Sequence, residues 1–393
     1  MVSNHIIMRR RQYLKTTSLG VTLFGLAGCL GEPPDSSSDN ESNNSGNNSG
    51  NSSNASGNRS GSDSSGGPNL AIISGVGGFG DKAFNDLALQ GLQRAVKEFG
   101  GQINQIDGEG GQFQSLQSQA AQASPSYDLI VCVSANQADA LQANAAEFGD
   151  QKWMLINQGL FRDNGEHFEN VAGYVWANHE MSFQAGVAAA TMTTREFSHQ
   201  NSQTTPDSPT VGFVGGVDSA LINAFERAYI AGVEHIDDGI DVRAGYAGSF
   251  EDPAAGKEVA LSQYNAGADI VYHAAAATGP GIFQAAQEQN RFAIGVDADQ
   301  SKTLSEYSAV IMGSAVKRIG VGTYEVARAV NNGNWGNVGG QEHILGLAED
   351  AVAFVPGVDI GEQLPNVVEE NLQQSKDGII NGDITVPCEA SGC

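Results

Sequence analysis

From Asn69 onward the chain alternates short apolar runs with longer stretches whose apolar residues recur at helical spacing. The runs Asn69–Ser74, Gln102–Ile106, Leu129–Val133, Trp153–Asn157 and Val171–Trp176 predict strands. Phe84–Phe99, Phe113–Ala123, Gln137–Phe148 and His179–Met192 predict the helices among them. A polar segment, Arg195–Ser208, reads as a surface loop, and then the rhythm restarts. Thr210–Phe213, Val242–Ala247, Ile270–His273, Phe292–Val296 and Val310–Met312 predict strands, with helices at Ala220–Ile236, Ser314–Val330 and between the later strands. Alternating strand and helix places a parallel sheet between helical layers. Two such series imply an α/β protein with two doubly wound lobes.

Open parallel sheets bind ligands beyond the carboxyl ends of their strands. The residues that follow each apolar run therefore matter most: Ser74–Asp81, Ser134, Asn157, Gly215–Asp218, Ala274–Gly281, Asp297 and Gly313–Lys317. Many are small or polar, so a ligand could approach the backbone or meet a selective polar group.

Before Asn69 the pattern is different. Arg10-Arg11-Gln12-Tyr13-Leu14-Lys15 has the form of a twin-arginine export signal, followed by the apolar stretch Leu19–Ala27. That stretch is too short for a permanent membrane span, which needs about 20 apolar residues. It ends in Leu26-Ala27-Gly28-Cys29, which resembles a lipobox with Cys29 as the lipid attachment site. Residues 30–68 are dominated by Ser, Asn, Gly and Asp and cannot bury enough apolar area to offset ordering, so they predict a disordered linker. Asn-X-Ser sequons recur at Asn40, Asn43, Asn47, Asn51, Asn54 and Asn58. Signal, lipid site and stalk predict a domain tethered to the outer face of a cell membrane.

Composition narrows the chemistry. The 393 residues carry 45 acidic and 20 basic side chains, a formal charge of −25. Four of the basic groups (Arg9, Arg10, Arg11, Lys15) precede Cys29, so 16 cations face all 45 acids over the remainder. Such a surface repels phosphate backbones, which excludes nucleic acid as a partner, and suggests solubility in concentrated salt. Four cysteines lack metal spacing; Cys132 reads as a buried apolar residue, and Cys388 and Cys393 could pair in the tail 384–393. The histidines form no metal motif, and no nucleophile elbow occurs. No metal or cofactor is expected. Gly75-Val76-Gly77-Gly78-Phe79-Gly80 matches a dinucleotide fingerprint formally, but the helix begins later, with Asp81 placed to cap it and to repel a phosphate.

Four segments together resemble the basic membrane protein family of importer receptors: Gly77–Asn85, Val211–Gly216 leading to Phe225 and Gly232, Ile294–Gln300, and Gly313–Arg318. The resemblance runs from about Asn69 to about Ala329, and more weakly to Pro365. It implies a type I periplasmic-binding-protein fold whose lobes are joined by a three-strand hinge, working as a monomer with an ABC permease and ATPase. The lobes are expected at 69–175 with 298–335 and at 176–297 with 336–383. The ligand implied is a nucleoside, of the purine class bound by the family's characterised members, or a related ribosyl compound, held without chemistry. Phe84 and Phe225 would clamp the base beside Asn85 and Asn157, Asp297 would accept both ribose hydroxyls with Lys317 in support, and Gly279 and Gly281 would offer main-chain groups. A vicinal diol supplies two donors to the two oxygens of one carboxylate. Gly75 and Asn157 stand where the family usually has acids tied to base recognition, which leaves the base open. A ligand sensor of the same fold and an exported nucleoside-acting enzyme are the alternatives.

Overall fold

The computed structural model describes residues 66–388, all within the unit Ser62–Cys393. The twin-arginine signal, Cys29, the sequon-bearing linker and Cys393 lie outside the described residues. Cys388 is disulfide-bonded, whereas Cys132 is a free, buried thiol, as its apolar setting predicts.

The first lobe opens with β1 (Asn69–Ile73), α1 (Phe84–Phe99), β2 (Gln102–Ile106), α2 (Phe113–Ala121), β3 (Leu129–Cys132), α3 (Ala138–Glu147), β4 (Trp153–Ile156) and β5 (Val171–Trp176). The chain then crosses to the second lobe and forms α4 (Asn178–Thr193), a small hairpin of β6 (Ser198–His199) and β7 (Ser202–Gln203), β8 (Thr210–Gly215) and α5 (Ala220–Ile236). There follow β9 (Asp241–Tyr246), α6 (Pro253–Asn265), β10 (Ile270–Ala274), α7 (Gly279–Gln289), β11 (Phe292–Asp297), the single turn α8 (Gln300–Thr303) and β12 (Ile311–Lys317). Last come α9 (Ile319–Asn331), β13 (Gln341–Leu345), β14 (Val352–Pro356) and α10 (Asn366–Asn381).

The strands build two six-stranded sheets, ordered β13-β5-β4-β3-β1-β2 and β14-β12-β11-β10-β8-β9. Within these two sheets all pairs are parallel except β12 with β14. Burial on both faces explains why the strands read as continuous apolar runs. In β1, Leu70 and Ile72 face the core shared with α1, while Ala71 and Ile73 face the one under α2 and α3. β10 divides likewise, with Ile270 and Tyr272 on one face and Val271 toward α6 and α7.

Three crossings join the lobes, at Ala177, at Arg318 and through residues 346–351. They bond to one another: Ala177 N–H donates to Leu345 O at 2.8 Å, and Arg318 N–H to Ala351 O at 2.9 Å. Two expectations need correction. The spacing predicts a helix over Ser314–Val330, but β12 continues to Lys317 and the helix starts at Ile319. The strand continues because β11 and β14 satisfy its backbone on both sides. As a result β12, within 298–335, belongs to the second lobe, and β13, within 336–383, pairs with β5 in the first.

Candidate functional site

A cavity lies between the lobes, at the carboxyl ends of both sheets. The first lobe contributes Val76, Phe84, Ser134, Asn136 and Asn157; the second contributes Leu221, Ile222, Phe225, Phe250, Ala274, Ala275, Ala276, Val296, Asp297 and Lys317. Its backbone is unusual. Of the eight described non-glycine residues with positive φ, four line this cavity: Ser134 (111°), Asn157 (69°), Ala276 (46°) and Asp297 (65°). Each such conformation costs on the order of 1 kcal/mol or more, and strain of this kind clusters where ligands are held.

Asp297 ends β11 and is the central residue of a three-residue turn, because Ala298 N–H donates to Val296 O at 2.7 Å. Gln300 braces the turn from below. Its Oε1 accepts Val296 N–H at 2.9 Å and lies 2.9 Å from His273 Nε2, while Ser314 Oγ accepts Gln300 N–H at 3.1 Å. The shared acceptor assigns the His273 proton to Nε2. Burial keeps that imidazole neutral, with its pKa pushed down to about 4.

Lys317 closes β12 just before the second crossing, and its Nζ lies 2.9 Å from Asp297 Oδ1. Both residues are buried, at 3% and 7% exposure. The ammonium also faces two rings, 4.8 Å from the centre of Phe84 and 5.4 Å from that of Phe225. Ring faces are negative, so the cation is stabilised on three sides. Phe84 comes from the first lobe and Phe225 from the second, which places the pair and both rings around one space spanning the cleft.

Asn157 also reaches the cavity. It is 3% exposed and its Oδ1 has no hydrogen-bond partner, an energetically costly state unless something else meets it. Three residues expected at the site are elsewhere. Asn85 is buried behind the wall, where Oδ1 accepts Gly75 N–H at 2.7 Å and Nδ2 donates to Asp81 Oδ2 at 3.0 Å. Gly279 lies against the His273 ring, and a Cβ there would stand 2.4 Å from Cε1. A Cβ on Gly281 would stand 1.7 Å from Pro253 O, so this glycine permits close packing of α6 on α7. Neither glycine lines the cavity.

Phe250 was missed. It follows β9, an edge strand whose residues are half-buried or exposed. The strand itself was predicted, but Phe250 lies in the loop beyond its end, where no pattern marks a residue that turns back to the cleft. The N-cap position of α1 is Ala83 and not Asp81 as expected, but the Asp81 carboxylate still serves the first turn, with Oδ1 accepting Ala83 N–H and Oδ2 accepting Asn85 N–H. The helix begins at Phe84, after the glycines, which removes the geometry a dinucleotide would need.

The family described as "ABC transporter substrate-binding protein PnrA-like" matches residues 70–390. The chain belongs to this Bmp family. It is an ABC transporter substrate-binding protein with two parallel-sheet lobes. The ABC transporter nucleoside-binding protein BmpA of Lactococcus lactis is 30% identical over 342 residues, covering 81% of this chain and 88% of that protein. Basic membrane protein A of Borreliella burgdorferi is 27% identical over 319 residues, covering 79% and 85%. An ABC transporter solute-binding protein from Aeropyrum pernix has a similar fold, with a TM-score of 0.71, 24% identity and coverage of 81% and 94%. The architecture is the type I periplasmic-binding fold. No described helix of this Bmp family member is long and apolar enough to cross a membrane.

Proposed function

We propose that this protein captures a nucleoside, or a related ribosyl compound, in the interlobe cavity and presents it to an ABC permease and ATPase. The observation that carries the reading is the buried Asp297–Lys317 pair set between Phe84 and Phe225. A flat base gains about 1–3 kcal/mol from stacking on an aromatic ring. The Asp297 carboxylate, held through Oδ1 by Lys317, suits a diol. The nucleoside-binding relative in Lactococcus lactis supports the same choice. Phe84, Phe225, Asn157, Asp297 and Lys317 are the ligand-binding residues in this reading, with Phe250 added. No group in the cavity is needed for bond breaking.

The reading extends to the chain's address. Export through the twin-arginine signal, lipid attachment at Cys29 and a monomeric domain on the outer membrane face fit an importer receptor. The acidic surface fits work in high salt. Melting of the purified domain against nucleosides, free bases, ribose and nucleotides in concentrated salt tests the proposal. A native-state ligand raises stability by RT ln(1 + [L]/Kd), so a micromolar binder shifts the melt clearly. Nucleosides should shift it and be recovered unchanged. A panel without any shift, or turnover of the nucleoside, would refute the assignment.

A further inference from the structure

The glycine-rich loop between β1 and α1 is pinned to its own lobe by most of its amides. Gly75 N–H donates to Asn85 Oδ1 at 2.7 Å, Gly78 N–H to Gly75 O at 3.2 Å, Gly80 N–H to Asp86 Oδ1 at 2.7 Å and Lys82 N–H to Asp86 Oδ2 at 3.1 Å. Gly77 differs. Its N–H donates across the cleft to Glu251 Oε1 at 2.9 Å. A second bond crosses nearby, from Thr303 Oγ1 in α8 to Lys82 O at 3.0 Å. The φ of Gly77 is +106°, and an ideal Cβ there would lie 4.0 Å from the Ala276 Cβ of the other lobe. The approach is therefore close, and the backbone amide makes the crossing.

The segment bearing Glu251 is braced on the second lobe. Thr278 Oγ1 donates to Ser249 O at 3.0 Å and accepts Asp252 N–H at 2.9 Å, and Glu251 N–H donates to Ser249 Oγ at 3.0 Å. The preceding residue, Phe250, lines the cavity. Consecutive side chains thus touch the ligand space and the opposite lobe, so ordering one orders the other.

We propose that Glu251 and Thr303 form a latch that fastens the glycine loop to the second lobe when the cleft is closed. Glu251 acts as a positioning residue that sets how long a ligand is retained. Glu251 is exposed and Gly77 half-buried, and both become hydrated when the lobes part, so the latch biases closure modestly. Such a bias changes affinity only through the closed state, and chiefly through the dissociation rate. The nucleoside reading above enters only in the choice of inosine as probe.

Glu251→Ala should speed inosine release about three- to tenfold while leaving association within about twofold. Glu251→Gln retains an acceptor oxygen and should release inosine at the wild-type rate, whereas Thr303→Val should behave like Glu251→Ala. Melting of the ligand-free variants should match wild type, which a general structural role would not allow. Fluorophores attached through unnatural amino acids replacing the exposed Lys97 and Glu258 report the distance between lobes in the full chain. The closed fraction without ligand should fall in Glu251→Ala. Unchanged release in Glu251→Ala, or release from Glu251→Gln as fast as from the alanine variant, overturns the latch. If wild type binds no inosine, the nucleoside reading fails, and equal closed fractions in wild type and Glu251→Ala then overturn the latch separately.

Discussion

Lys317 Nζ stands 2.9 Å from Asp297 Oδ1, a buried ion pair joining the ends of adjacent strands β12 and β11. Breaking such a pair from one side leaves an uncompensated charge and costs about 3–5 kcal/mol. Asp297→Asn should therefore lower the melting temperature and remove nucleoside binding together. Adding Lys317→Met should restore much of the stability and none of the binding, as denaturation and calorimetric titration would show.

The two rings should separate binding from folding. Phe84 is half-buried at a helix start, so Phe84→Ala should weaken binding by about 1–3 kcal/mol with little loss of stability. Phe225 is 3% exposed and belongs to the main core. Phe225→Ala should cost about 3–5 kcal/mol of stability as well as affinity. Urea melts beside titrations check both.

Gly279→Ala should destabilise without altering affinity in the folded fraction. The new methyl group would overlap His273, and overpacking of this kind costs about 1–3 kcal/mol. A weakened Kd at unchanged stability would return Gly279 to the binding site.

Asn157 has φ 69°, which glycine adopts freely. Asn157→Gly should keep the backbone and delete only the amide. Stability should hold within about 1 kcal/mol, since the removed Oδ1 had no partner. Affinity should fall for nucleosides and stay constant for free ribose, a contrast that titration with both would resolve.

The stability that His273 contributes should fall below about pH 6.5. The unfolded chain binds a proton at His273 near 6.5, whereas burial holds the folded pKa down to about 4. Stability from the neutral ring is thus full above 6.5 and is lost as pH falls toward 4, by about 3 kcal/mol at most. His179, lowered to about 4 by burial, adds to the loss. Asp269 opposes it: burial raises its carboxyl to about 6, so the folded state takes up a proton first and gains stability from pH 6 downward. Burial raises Asp81 and Glu180 in the same sense as Asp269, so the His273 loss is read as the difference between wild type and a His273 variant. Urea melts from pH 7 to 4.5 should show it, with a shallower slope in His273→Gln.

The alternation of apolar runs and helical spacing determined the two doubly wound lobes, since a strand buried on both faces must be apolar along its length. It also located Asn157 and Asp297, because a polar residue ending such a strand has few places to go except a cleft. The family resemblance supplied Phe84, Phe225 and Lys317. Tertiary structure alone decided which lobe holds β12 and β13, because pairing partners are chosen by contacts far apart in sequence. It moved Asn85, Gly279 and Gly281 out of the cavity, since a small or polar residue beside a ligand and one beside a packed helix look alike in one dimension. It also brought in Phe250 and set Glu251 against Gly77, 174 residues apart, because closure of the lobes makes neighbours that no local pattern records.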